Sequence, residues 1–89
     1  MKTHYCYIVR AGEFVKIGYS KNIEGRIAMM QTGNPHQMEL ICAFPYTTQA
    51  AAREQEKFLH SRFDKSRIHG EWFRSHNVME TMRSFGRID

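Results

Sequence analysis

The sequence predicts a small single domain of the α+β class spanning residues 1–89, with three strands and about three helices. Three observations lead there. Runs rich in aromatic and β-branched residues stand at 4–10, 13–18 and 37–46. Apolar residues recur at helical spacing over 21–31, 49–63 and 76–85. A chain of 89 residues can bury one modest core and not two.

The first two runs, HYCYIVR and EFVKIG, flank Ala11-Gly12 and read as a β-hairpin. A two-residue turn at Ala11-Gly12 and a four-residue loop from Arg10 to Glu13 give the same register. In it Ile8 lies opposite Val15 and Tyr7 opposite Lys16. Side chains alternate across a strand, so Cys6, Ile8, Val15 and Ile17 share one face and make a candidate core. Tyr5, Tyr7, Lys16 and Gly18 share the other, which reads as a half-solvated polar face.

The helix over 21–31 has Ser20 or Asn22 as its cap and Gly33 as its stop. Ile23, Ile27 and Met30 form its core-facing stripe. Arg26 lies about 60° from Ile23 on the wheel, on the shoulder of that stripe. From there its stem can cover the core edge while the guanidinium runs along the surface. Gly25 costs the helix roughly 1 kcal/mol against alanine, and the sequence offers no reason for it.

Asn34-Pro35 marks a turn, and the third strand, QMELICAFPY over 37–46, is expected to end at Pro45. A helix from Gln49 to Phe63 follows, capped by Thr47 or Thr48, with Ala52, Leu59 and Phe63 on its apolar line. Residues 64–70 read as a basic, polar loop before the aromatic pair Trp72-Phe73. Val78, Met82 and Phe85 suggest the last helix, over 76–85.

The formal charge of +4 favours polyanionic partners, because neutralised phosphates release counterions. No apolar run reaches the ~18–20 residues needed to span a bilayer, and the N-terminus lacks a signal-like apolar stretch. The expectation is a cytoplasmic protein with no membrane partner. Cys6 and Cys42 sit in apolar runs and read as small buried thiols, and no C-x2-C or H-x3-H pair suggests structural zinc.

One carboxylate is out of place. With Ala52 at zero on the helical wheel, Leu59 and Phe63 fall within roughly 20° and Glu56 at about 40°, whereas Glu54 points the other way, near 200°. A buried carboxylate must be paired, protonated or bound to metal. One account is a structural ion pair with Arg26, and the other is a metal ligand at the mouth of a site. His60 lies one turn on, on the same flank. Tyr7, Lys16, Arg26 and Glu56 together suit phosphodiester hydrolysis, which needs a base for water, a cation for the phosphate and a metal held by carboxylate.

Tyr5-Cys6-Tyr7, Lys16-Ile17-Gly18, Arg26 eight residues after that glycine, Glu56-x-x-x-His60 and Gly70-Glu71-Trp72-Phe73 follow in order. In this order and spacing the chain resembles the GIY-YIG endonucleases, specifically a phage and bacterial branch reading Lys-Ile-Gly and Gly-Glu-Trp-Phe. The resemblance implies a three-stranded antiparallel sheet flanked by helices, with the site on the sheet face. It implies DNA as partner and one Mg2+ or Mn2+ held by Glu56. Tyr7 would contact the scissile phosphate or share in activating water, and Lys16 would replace the usual tyrosine base. Arg26 would stabilise phosphate charge as a planar bidentate donor. Tyr5, Ser20, Lys21, Asn22 and His60 would contact nucleic acid, with Glu71 and Trp72 in packing roles. Alone, such a domain would cut with low preference, form a homodimer or rely on a partner protein. The alternative reading is a relative that binds nucleic acid or protein without cutting.

Overall fold

The computed structural model describes residues 3–87. In chain order the elements are β1 (His4–Ala11), β2 (Phe14–Ser20), α1 (Ile23–Gln31), β3 (Met38–Tyr46), α2 (Gln49–Arg62), β4 (Arg67–His69), β5 (Trp72–Arg74) and α3 (Ser75–Ser84). A single turn of 3-10 helix, Asp64–Ser66, links α2 to β4. The strands form one five-stranded sheet in the order β3-β1-β2-β5-β4, each antiparallel to its neighbours.

The expected three-stranded sheet is therefore corrected to five. The stretch 64–70 is not merely a loop: with residues 71–74 it holds a second hairpin, which adds itself to β2 through Val15–Phe73 and Lys16–Trp72 pairing. Its strands are three residues each, too short to show the alternation by which strands are recognised. Both hairpins turn on Gly-Glu, at Gly12-Glu13 and Gly70-Glu71, with the glycines at φ 64° and 57°. Glycine at the first central position suits the tight turns that match strand twist.

That turn also corrects the register of the first hairpin. Ile8 pairs with Ile17 and Tyr7 with Gly18, a slip of two residues from the expected pairing. A slip of two keeps every side chain on its face. β3 runs past the expected stop, with Pro45 opposite Tyr5. It is an edge strand, so the missing proline N–H breaks no ladder.

The sheet is covered on both faces. Cys6, Ile8, Val15, Ile17 and Phe73 pack against Leu59 of α2, against Phe63 at its C-terminal end, and against Val78, Met79 and Met82 of α3. On the opposite face Tyr7, Val9, Ala11 and Met38 pack against Ile23, Ile27 and Met30 of α1 and against Trp72. Tyr7 is consequently buried, at 2% exposure, rather than half-solvated. Among the described residues no helix is long and apolar enough to cross a membrane.

Candidate functional site

The site begins with the Tyr7–Gly18 pair. The Tyr7 ring lies across Gly18 so closely that a Cβ there would fall 2.5 Å from Oη and 2.7 Å from Cζ. Glycine is what lets the phenol reach over β2. Burial, and then the Glu71 carboxylate, push the Tyr7 phenol up to about 12, with Glu56 acting the same way and Arg26 opposing it. At neutral pH Tyr7 is thus an un-ionised hydroxyl, a hydrogen-bond donor rather than a base. Arg26 of α1, Glu56 of α2 and Glu71 of the second turn thus all lie within electrostatic reach of this tyrosine.

α1 starts where Ser20 Oγ accepts from the Asn22 N–H and Asn22 Oδ1 accepts from the Gly25 N–H. A Cβ on Gly25 would meet the Asn22 amide nitrogen at 2.5 Å, so this glycine makes room for the cap. The cap fixes the first turn, and Arg26, one residue on, is exposed. Among the described residues Arg26 forms no salt bridge. Its charge is available to an anion.

α2 is capped by Thr48 Oγ1, which accepts from the Ala51 N–H. The helix buries Ala52 and Leu59, leaves Glu54 exposed and half-buries Glu56. Glu56 joins no salt bridge among the described residues, so the structural ion pair with Arg26 is absent there. Burial and the neighbouring Glu71 push its carboxyl above the usual carboxylate range, while His60 and Arg53 act the other way. One turn on, His60 points inward. Its Nε2 lies 2.8 Å from the Ile17 carbonyl oxygen and its ring sits 5.3 Å from the Phe73 ring. A carbonyl can only accept, so Nε2 donates to it.

Glu71 is the residue the sequence reading undervalued. It sits at the tip of the second hairpin, where its carbonyl accepts from the Ile17 N–H at 3.1 Å. Its carboxylate lies 3.8 Å from the Lys16 ammonium. Ligand atoms of Glu56, His60 and Glu71 lie within 4.8 Å of one another. A carboxylate–histidine–carboxylate set whose histidine is held by a backbone carbonyl has donors that suit a divalent ion. The one advance signal for Glu71 was its place after Gly70, which becomes informative only when β5 is seen to pair with β2.

Of the residues expected to share a site, Arg26 and Glu56 lie within electrostatic reach of Tyr7, and Lys16 is ion-paired with Glu71. Lys16 is half-buried, 6.0 Å from the Trp72 ring centroid, and ion-paired rather than isolated. The expected nucleic-acid contacts divide. Tyr5, Lys21 and Asn22 line one open depression with Thr3, and Lys21 is exposed. Ser20 is buried at 5% with its hydroxyl committed to the chain turn, and His60 faces the sheet instead of solvent. Cys6 is buried and Cys42 half-buried, and burial first of all raises their thiols to about 12 and about 11.

The T5orf172 domain model matches residues 4–86. No GIY-YIG model matches, which overturns the resemblance drawn from short motifs. Those triplets already departed from that pattern, with Tyr5 in place of its first glycine and Lys16 in place of its second tyrosine. Aromatic-apolar-aromatic alternation is also what any well-covered hairpin tends to carry. No curated protein and no solved structure matches the chain.

Proposed function

The chain belongs to the T5orf172 domain family, and on that premise we propose that it is a metal-dependent endonuclease hydrolysing DNA phosphodiester bonds. Membership points toward a DNA-directed role, and the chemistry rests on geometry. One observation carries it: within electrostatic reach of the buried Tyr7 hydroxyl, which lies over Gly18, stand Arg26, in no salt bridge among the described residues, and the carboxylates of a Glu56–His60–Glu71 cluster, drawn from four separate elements.

Each group then has a task. The Tyr7 hydroxyl donates to a non-bridging phosphate oxygen, its un-ionised state making it a donor at neutral pH. The Arg26 guanidinium takes two phosphate oxygens through its planar fork and opposes the charge that grows as water attacks. Lys16 adds a second positive charge and holds Glu71 in place. Glu56, His60 Nδ1 and Glu71 would hold one Mg2+ or Mn2+, with Glu56 the principal ligand. The fit rests on the donor set: burial and the Glu71 carboxylate beside it raise the cost of ionising Glu56, and a divalent cation would relieve it. When bound, such an ion supplies a Lewis acid for the phosphate and lowers the pKa of a coordinated water. Domains this small usually need a homodimer or a partner protein to read a long site.

The test is supercoiled plasmid incubated with Mg2+ or Mn2+. The parent should nick or linearise it, and Arg26→Ala and Glu56→Ala should lose on the order of 100-fold or more in rate. A Glu56→Ala protein that cuts as fast as the parent removes the metal role. Salt-sensitive DNA binding without any cutting would favour a pure binding module instead.

A further inference from the structure

A second hollow opens on the same sheet face as Tyr7 and Lys16, on the far side of Trp72. It is lined by Ala11, Phe14, Asn34, His36, Ile68, His69 and Trp72 and encloses about 270 Å3. Resting on the nucleic-acid reading above, we propose that this hollow seats one unpaired nucleobase of the strand whose phosphate lies at Lys16 and Arg26.

Size is the first argument. The volume lies just under the roughly 300–1,000 Å3 of ordinary ligand pockets, room for one planar heterocycle. Shape is the second. Phe14 and Ile68 stay 36% and 44% exposed and lie together at the hollow, giving a flat ring an apolar surface to cover. Ile68 falls at the register shift between Arg67 and His69, and such irregularities re-aim a side chain. The His36 ring lies against the first turn, 3.1–3.4 Å from where a Cβ on Gly12 would stand, so Gly12 leaves the space that the ring fills.

Polarity is the third. The His36, His69 and Trp72 rings form no hydrogen bond among the described residues, leaving ring nitrogens for the edge of a base. Charge is the fourth. Trp72 is at once a wall of the hollow and the ring beside the Lys16 ammonium, 6.0 Å away. A base in the hollow would therefore place its own phosphodiester next to the cations of the site. An apolar peptide side chain would fill the hollow without using those cations.

Trp72 is the only tryptophan in the chain, so its emission reports the wall directly. In chelator, to prevent cutting, a single-stranded oligothymidylate is titrated against an abasic sugar-phosphate oligomer of the same length. The expected result is saturable quenching by the base-containing strand at about tenfold lower concentration, the scale of one base–aromatic stack. Phe14→Ala and Ile68→Ala, both at exposed positions, should erase most of that difference while keeping the salt dependence. Equal binding and equal quenching by the abasic oligomer would overturn the proposal, as would binding that leaves Trp72 emission unchanged. So would binding of neither strand, which would leave the hollow to a protein or to nothing. Plasmid cutting measured in parallel separates the two readings: cutting without base preference removes only the base seat, and base-dependent quenching without cutting removes only the hydrolysis.

Discussion

The two faces of the sheet are covered unequally. Against α2 and α3, five strand residues are wholly buried and meet Leu59, Phe63, Val78 and Met82 in one apolar cluster. Against α1 the cover is a single helix none of whose own residues is fully buried, although Tyr7, Val9 and Met38 beneath it are. Glu56 lies where the faces meet, close enough to bear on both Cys6 and Tyr7. The first face holds the fold together, and the second carries the charged groups of Arg26 and Lys16 within reach of solvent. A domain this small separates the two duties by using the two sides of one sheet.

The largest effect should come from the thick side. Phe73 is fully buried between the helices and the His60 ring. Phe73→Ala should cost about 3–5 kcal/mol in a denaturant melt, the scale of an unfilled aromatic cavity, and leave the domain barely folded. A loss under about 1 kcal/mol would mean that the two faces carry stability equally. On the thin side, Gly18→Ala forces the Tyr7 ring off the strand, because its Cβ would press on both Oη and Cζ. Roughly 1–3 kcal/mol should be lost, and DNA cutting should fall with it, since the phenol moves. Unchanged cutting would detach Tyr7 from the chemistry.

The inequality between faces explains what the sequence disclosed. Alternation placed Cys6, Ile8, Val15 and Ile17 on one face correctly even though the register was off by two, because the face depends only on parity. The wheel singled out Glu56 because a carboxylate breaking an apolar stripe is visible without coordinates. The burial of Tyr7 was not legible, since it depends on α1 folding back over β1. Nor were β4 and β5, whose three residues each carry no period. Without β5 there was no reason to bring Glu71 near Glu56, so Glu56 was read without its neighbour Glu71.

Alkaline titration gives a smaller effect, confined to high pH. Tyr7 and Cys6 are raised from 10.0 and 9.0 to about 12, so the unfolded chain loses those protons first. Above pH 9 the native state therefore binds more protons than the unfolded one, and stability must fall as pH rises. The loss should begin near pH 9, deepen past pH 10 and be complete by about pH 12. Tyr7→Phe should remove the tyrosine share, readable as a shallower fall in Tm over that window. A melt that is flat from pH 9 to 11 would show that both groups are already solvated.

The smallest stability change should also have the opposite sign. Glu56 is raised above its ordinary value by burial and by Glu71, so the fold disfavours its charged form. A raised carboxyl contributes stability below its unfolded value and loses it as pH climbs through the folded one. At neutral pH the charge is therefore a burden, and Glu56→Gln, which keeps the shape without it, should melt at the same temperature or slightly above the parent. Near pH 4 the difference should vanish. Mn2+ should raise the parent's Tm in proportion to its occupancy and leave Glu56→Gln almost unmoved, because only the native parent offers the full donor set. A side chain whose removal steadies the domain while abolishing both the ion's effect and plasmid cutting is held there for chemistry. A Glu56→Gln protein less stable than the parent at neutral pH would make it a structural carboxylate instead.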